Sequence, residues 1–368
     1  MSQREDVHFT IVADPNPDTP FLKTVTEGDG RAIRSVRAET QIIRLPKMPE
    51  LSWQPQAVLR MLRERPDAVI ALGSPYSLTA WALLLVGRAR GVPVLLWSHG
   101  LLKEEAGPKW WLRRALYRLA TGLLLYGDYA KELLCKKGFD PGSMHVIYNS
   151  LDYDVQTQIA AQLGANEIRQ FRSLLGVNEG ERLVVFTGRL QPVKRLDMLI
   201  RAVGILAQQG KRVHVALVGE GSAREDLARL AREVGVEGHV HFLGESYDEH
   251  HLGLVVGASD LSVIPSGAGL SIMHALVFGT PVLIHDRVEH HFPEWEAVID
   301  GETGFFYRYG DINDLAAKME QAIFPVPAKS TMANACKAVI NEKYNPHRQV
   351  ETFVRAVRES ARSAGRRL

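Results

Sequence analysis

Cysteine is scarce in this chain. Cys135 and Cys336 are the only two in 368 residues, so no disulfide framework is possible beyond one bridge and a reducing compartment is expected. An excess of one charge is missing as well. Lys and Arg number 44 against 42 Asp and Glu, a net +2, which gives no global attraction for nucleic acid. Long apolar runs are absent: those at 78–86 and 123–126 are too short to cross a bilayer. The polar residues 1–6 lack the apolar core of a signal peptide. No repeat of fixed period and no low-complexity tract stands out. Nor does a metal-ligand cluster, because the histidine pairs at 250–251 and 290–291 are adjacent and few of them can share one ion. What is present is ordinary: 46% hydrophobic and 23% charged residues, the make-up of a globular protein of about two domains. The expected location is the cytoplasm, with a peripheral place on the inner face of the membrane as the alternative.

The apolar runs alternate between strand and helix character. In the first half, strands are expected at 7–13, 40–45, 68–72, 92–97, 122–126 and 145–147, with helices at 57–65, 78–90, 110–120 and 128–137. Residues 92–97 are continuously apolar, as a buried parallel strand requires. Gly91 and Gly138 are helix stops. Residues 151–175 are polar and helical without a strand, and mark a boundary. The alternation then restarts, with strands at 183–187, 213–218, 240–243, 261–264 and 282–284 and helices such as 195–208 and 222–234. Two terminal helices, 331–344 and 347–361, are separated by Pro346. The expected fold class is α/β, with two Rossmann-like, doubly wound parallel-sheet domains facing across a cleft. The expected domains are 1–165, 166–330 and a terminal helix pair over 331–368, the last helix crossing back to the first domain. Ligands of such sheets lie at the carboxyl ends of the strands.

Three turns in the second half carry candidate chemistry. The strand ending at Ile264 runs into Pro265 and then Ser266-Gly267-Ala268-Gly269-Leu270-Ser271, where a helix is expected to open at once. Free backbone N–H groups at such a turn suit an anion. The strand over 183–187 ends at Gly188-Arg189, and Lys194 is expected to open the next helix. Two cations aimed at a departing diphosphate lower the barrier to breaking a sugar–phosphate bond, because they act most strongly when that charge has developed. Arg can grip two phosphate oxygens and Lys supplies a point charge. The plain alternative is a solvated pair at a helix start. Gly219-Glu220-Gly221-Ser222 allows close backbone approach to a ligand, or is an ordinary turn capped by Ser222. The loop 242–247, through Gly244, offers a rest for a base or ribose, or is an ordinary connection.

Taken in order, these pieces resemble the donor domain of retaining glycosyltransferases of family 4, with the GT-B architecture. The resemblance rests on Gly188-Arg189-Leu190 with Lys194, Val218-Gly-Glu-Gly221, Val240-His-Phe-Leu-Gly244, Gly269-Leu270, Ala275-Leu276, Gly279-Thr-Pro-Val282, Asp300-Gly-Glu-Thr-Gly-Phe305, and Gly310-Asp311 with Leu315. It covers about 182–325. Its specificity lies in the ordered set. One departure stands out. The family usually carries two glutamates across the turn and helix, the first on the donor sugar and the second on the ribose. Ser266 and His274 stand at those positions. Both can still hydrogen-bond hydroxyls, Ser266 without charge and His274 through a ring nitrogen. The resemblance implies transfer of a hexose from a nucleotide diphosphate sugar, the co-substrate, to a glycan or lipid-linked acceptor with retention. It implies front-face displacement in which the leaving phosphate takes the acceptor proton, with no cofactor and no metal required.

In the first half, His99 follows the strand over 92–97. A strand-end histidine is often structural; the family has one here, close to the donor sugar, so the resemblance implies a positioning role in catalysis beside Arg189 and Lys194. Residues 103–118 hold Lys109, Trp110, Trp111, Arg113, Arg114, Tyr117 and Arg118. Basic residues beside aromatics suit a lipid headgroup surface, while a core-facing helix with a solvated basic side is the plainer reading. Asn149 ends the first domain, where the family often has a similar residue. The strand over 7–13 resembles the family's second strand, so the first βα unit is either absent or replaced by the irregular residues 15–30.

Two other function classes compete. A non-catalytic binder of a nucleotide sugar or glycan is favoured by Ser266 and His274. A nucleotide-sugar 2-epimerase would want acidic groups in the site, and those two positions lack them.

Overall fold

The computed structural model describes residues 8–14, 33–37, 39–44, 49–324 and 326–363. The expectation for 15–30, and with it the question of a first βα unit, lies outside them. Contacts divide the chain into two compact units. One comprises Met1–Tyr126, Ala130–Ile147 and Val350–Leu368, and the other Gly127–Tyr129 and Tyr148–Gln349.

The first unit opens with β1 (Phe9–Ala13) and β2 (Ile33–Arg37), a parallel pair, and an antiparallel pair, β3 (Gln41–Ile43) and β4 (Leu51–Trp53). The expected strand over 40–45 contains β3. Next come α1 (Pro55–Glu64), β5 (Val69–Leu72), α2 (Leu78–Arg90), β6 (Val94–Ser98), α3 (Gly107–Leu119), β7 (Gly122–Leu125), α4 (Asp128–Lys136) and β8 (Met144–Val146). Strands β5 to β8 form one parallel sheet in sequential order. Local chemistry sets the helix ends. The Ser77 hydroxyl accepts from the Ala80 amide at the start of α2, and Gly91 ends it at φ 64°, a conformation glycine adopts without a Cβ clash.

The second unit holds α5 (Tyr153–Gln162), α6 (Ala165–Leu174), β9 (Arg182–Thr187), α7 (Leu196–Gln208), β10 (Val213–Val218), α8 (Arg224–Glu233), β11 (Val240–Gly244), α9 (Glu249–Ala258), β12 (Leu261–Val263), α10 (Leu270–Val277), β13 (Val282–His285), β14 (Gly304–Tyr307), α11 (Ile312–Ile323) and α12 (Ala328–Glu342). Helix α13 (Pro346–Ser363) follows. Helices α5 and α6 belong to the second unit, where Ile159 and Phe171 lie in its core. From Val350 onward α13 belongs to the first unit, where Phe353 and Ala356 pack with Leu95 and Leu124.

The six strands of the second unit are all parallel, in the order β11-β10-β9-β12-β13-β14. Every residue of β10, β12 and β13 is buried, which matches their continuous apolar sequence. The sequence order reverses between β9 and β12. At such a switch point neighbouring loops leave in opposite directions and open a crevice at the carboxyl edge.

Candidate functional site

Strand β9 delivers Gly188 and Arg189 to one side of that switch point, and β12 delivers Ser266 and Gly267 to the other. The two sides are joined. Lys194 Nζ donates to the Gly267 carbonyl at 2.7 Å. Lys194 does not open a helix, as the sequence suggested. It closes a single 3-10 turn, Pro192–Lys194, and α7 begins only after Arg195, which sits at φ 53°. Burial lowers the Lys194 ammonium, and the charge of Arg189 lowers it further. The two cations therefore share one electrostatic environment, so a bound anion would relieve their repulsion.

The loops after β9, β10 and β11 are stitched together past the strand ends. Gly188 N donates to Val218 O, Leu190 N to Glu220 O, and Gly219 N to Gly244 O, at 2.9, 2.9 and 2.7 Å. A Cβ on Gly219, at φ +142°, would lie 2.0 Å from the Gly188 carbonyl oxygen, and one on Gly221 2.3 Å from that of Leu190. The glycines that the sequence reading assigned to ligand approach are thus required by loop-on-loop contact. Gly244, at φ +76°, turns the chain out of β11.

Helix α10 starts at Leu270, directly after the small-residue turn, with Gly269 as N-cap. The Ala268 amide is already committed, donating to His291 Nδ1 at 3.2 Å, and the Ala268 carbonyl accepts from Phe292 N at 2.8 Å. Ala268 is fully buried and presents no group to a ligand. Leu270 and Ser271 stand in the first turn of α10, where amides have no intrahelical acceptor. Behind the turn, His291 Nε2 lies 3.0 Å from the His285 carbonyl. Since Nδ1 accepts, the ring proton sits on Nε2 and donates there. The Tyr307 hydroxyl donates to the Pro265 carbonyl at 2.8 Å and fixes the residue before half-buried Ser266.

A pocket of about 360 Å3 lies at the carboxyl ends of β9 and β10 and the first turns of α9 and α10. Of the predicted residues it is lined by Gly188, Arg189, Glu220, Ser271 and His274. It is also lined by Glu245, Ser246, Tyr247 and Glu249. Glu220 pairs with Arg224 at 2.5 Å on the pocket rim. Glu249 was missed by sequence reasoning. Its signal was the Asp248 cap that starts α9, whose side chain accepts from the amides of His250 and His251 and so turns Glu249 to the pocket. Buried Gln156, on α5, lies between two pocket groups: its amide nitrogen is 3.1 Å from Glu249 Oε2 and 3.4 Å from His274 Nδ1. Burial holds His274 below its ordinary value, against the pull of Glu249. His274 is therefore neutral near pH 7, with Nδ1 turned to Gln156 and Nε2–H available.

His99 belongs to the first unit. It follows β6, and its ring lies on Tyr126 with centroids 4.7 Å apart. Asn149 donates to Glu294 Oε1 at 2.8 Å. Among the described residues no group of three or more His, Cys, Asp or Glu is placed to hold a metal ion, and no helix is long and apolar enough to cross a membrane.

Two parallel-sheet α/β units, with a pocket at the carboxyl edge of the second, define the class: the fold is GT-B. Residues 167–334 match the family model of glycosyl transferases group 1, and residues 2–150 that of the glycosyl transferase 4-like domain. Together the two matches span most of the chain. Among curated proteins, D-inositol 3-phosphate glycosyltransferase of Mycobacterium ulcerans is 33% identical over 196 residues, covering 47% of this chain and 40% of that protein. The putative glycosyltransferase EpsD of Bacillus subtilis is 26% identical over 241 residues, covering 64% and 61%. The chain thus spans less than two thirds of the length of either relative. Among solved structures, HepE of Anabaena in complex with UDP superposes with a TM-score of 0.66 at 21% identity, over 83% of this chain and 81% of that one. Sucrose-phosphate synthase of Thermosynechococcus elongatus gives 0.69 at 18% identity, over 97% and 90%. These likenesses are of fold.

Proposed function

We propose that the protein transfers a hexose from a nucleotide diphosphate sugar to a glycan or lipid-linked acceptor, with retention at the anomeric carbon. The observation that carries the reading is the pocket shared by Arg189, Glu220, Ser271 and His274 at the switch-point edge, next to the paired Lys194. Arg189 and Lys194 would compensate the negative charge that builds on the diphosphate as the sugar–phosphate bond lengthens, and the first-turn amides of α10 would add their partial positive charge. The acceptor hydroxyl attacks the face the phosphate is leaving. Its proton passes to a departing phosphate oxygen, so no enzyme nucleophile forms a covalent intermediate and no metal is needed. Ser266 would bond the sugar and His274 a ribose hydroxyl. The resemblance assigns His99 a positioning role.

The support is the pocket itself, together with the matched glycosyltransferase models and the likeness in fold to UDP-bound HepE. The test is nucleotide diphosphate release from UDP-, GDP- and ADP-sugars. Arg189→Ala should lower release by about a hundredfold or more without changing the thermal midpoint, and unchanged release would remove the clamp from the mechanism. A second reading, a non-catalytic nucleotide-sugar binder, draws on the internal pairing of Lys194 and the Ala268 amide. It is distinguished by ligand stabilisation of the fold with no release from any donor.

A further inference from the structure

Helix α3 carries four cations, Lys109, Arg113, Arg114 and Arg118, and no acidic residue. Its inward face is accounted for. Trp110, Leu116 and Tyr117 are buried, and Arg113 is bound to Glu105 at 2.9 Å and to the Tyr117 hydroxyl at 3.2 Å. Its outward face is not polar, as a solvated helix would be. Pro108, Trp111, Leu112 and Ala115, spaced i, i+3, i+4 and i+7, are all exposed, with Trp111 at 74% and Leu112 at 40%. Exposed Arg114 and Arg118 border this apolar stripe on one side and Lys109 on the other. Helix α2 packs beside α3. Leu85 is 57% exposed, one turn from Arg88, whose guanidinium donates to the carbonyls of Arg118 and Leu119. A solvent-facing Trp and Leu, bordered by Arg114, Arg118 and Lys109, the last 3.7 Å from the Glu105 carboxylate, give the two signals that bind a helix in the plane of an anionic interface. The ring and aliphatic groups enter the headgroup boundary, and the cations meet lipid phosphates.

We infer that the outward face of α3 docks this unit on an anionic lipid surface. The charge decides the occupant. A second copy would place cations against cations, since the stripe brings no acidic residue of its own helix to answer them. The surface stands on exposure and charge within the first unit and does not depend on the donor reading.

The test is co-sedimentation of the full chain with vesicles of phosphatidylcholine alone and of phosphatidylcholine mixed with phosphatidylglycerol. Binding is expected only to the anionic vesicles, and should weaken as salt rises. Trp111→Ser with Leu112→Ser should weaken it by about tenfold or more. Arg114→Gln with Arg118→Gln should weaken it by about thirtyfold. All four residues are exposed, so the thermal midpoint and the stabilisation of the protein by UDP should stay at the parent values. No binding to anionic vesicles overturns the inference, as does binding that both double variants retain. A dimer of the parent protein that the Trp111/Leu112 variant dissolves, without vesicle binding, would assign the stripe to a second copy and also overturn it. Loss of UDP stabilisation in the parent protein bears on the donor reading alone.

Discussion

The Lys194 ammonium holds the Gly267 carbonyl at 2.7 Å, tying the loop after β9 to the loop after β12 across the point where strand order reverses. One side chain thereby does two jobs. It places positive charge beside Arg189, and it fixes the turn that leads into α10. A cation on a backbone carbonyl keeps two of its three N–H donors for another acceptor.

Replacing Lys194 should separate these jobs. Lys194→Met removes both charge and bond, and nucleotide diphosphate release should fall by about a hundredfold or more. Amide exchange at 267–271 should speed up as the turn loosens. Lys194→Arg restores charge without the same reach to Gly267, so exchange should stay raised while part of the activity returns. Normal exchange in Lys194→Met would show that the tether does not fix the turn.

Gly219 and Gly238 give opposite expectations from the same substitution. A Cβ at Gly219 meets the Gly188 carbonyl oxygen at 2.0 Å, whereas one at Gly238 meets nothing within 4 Å. Gly219→Ala should cost about 2–4 kcal/mol and lower Tm by roughly 4–12 °C, with loss of nucleotide stabilisation. Gly238→Ala should be neutral or slightly stabilising. Thermal unfolding of the two variants side by side checks this.

Gln156 is 2% exposed and touches both Glu249 and His274 without lining the pocket. Gln156→Leu should leave the fold intact and weaken nucleotide binding by about tenfold, since it frees the Glu249 carboxylate and the His274 tautomer. Gln156→Glu should weaken it more, because a second carboxylate would face Glu249. Calorimetric titration with UDP reads both, and parent-like affinity in Gln156→Leu would deny the positioning role.

Acid should loosen the second unit before the carboxylates titrate. His214 lies 3.0 Å from Glu181 Oε2 through Nε2 and 3.0 Å from His241 Nε2 through Nδ1, so a neutral His214 donates to Glu181 and accepts from His241. Burial pushes His241 down to about 4, and His285 and His291 to about 3 and 4. Each folded value lies below the ordinary 6.5, so the unfolded chain binds more protons between the two. Stability is therefore complete above pH 6.5 and is lost as pH falls from 6.5 toward 4. Protonating His291 also puts a proton on Nδ1, against the Ala268 amide. Tm should fall by roughly 5–10 °C between pH 7 and 4.5. His241→Gln keeps a donor for His214 and removes a titrating ring, so its acid-side slope should be shallower. An identical slope would exclude His241 as a contributor.

Much of the second unit could be read in advance. Strands β9, β10 and β12 lie within a residue or two of their expected positions, because continuous apolar runs between turns leave a parallel sheet little freedom. Arg189, Glu220, Ser271 and His274 could be named from residue order and all line one pocket. The first unit was less legible. β2 and β4 are short, and pairing partners lie far away or beyond prolines, so local pattern does not reveal them. The contacts of Lys194 and Ala268 were illegible for one reason. Sequence shows that an amide or an ammonium exists, but not whether another part of the chain has already taken it.

The alternation of apolar runs, together with the glycines and polar residues at their ends, determined the fold class and which residues gather at a sheet edge, because periodicity and turn chemistry act over a few neighbours. Only the tertiary structure decided how those residues are spent. Through-space contacts commit Lys194 to Gly267, Ala268 to His291 and Gly219 to Gly188. They bring Gln156 between Glu249 and His274, and they leave Trp111 facing solvent while Trp110 is buried. Each outcome depends on which distant group fills the space beside a side chain, and that is settled by packing of the whole unit.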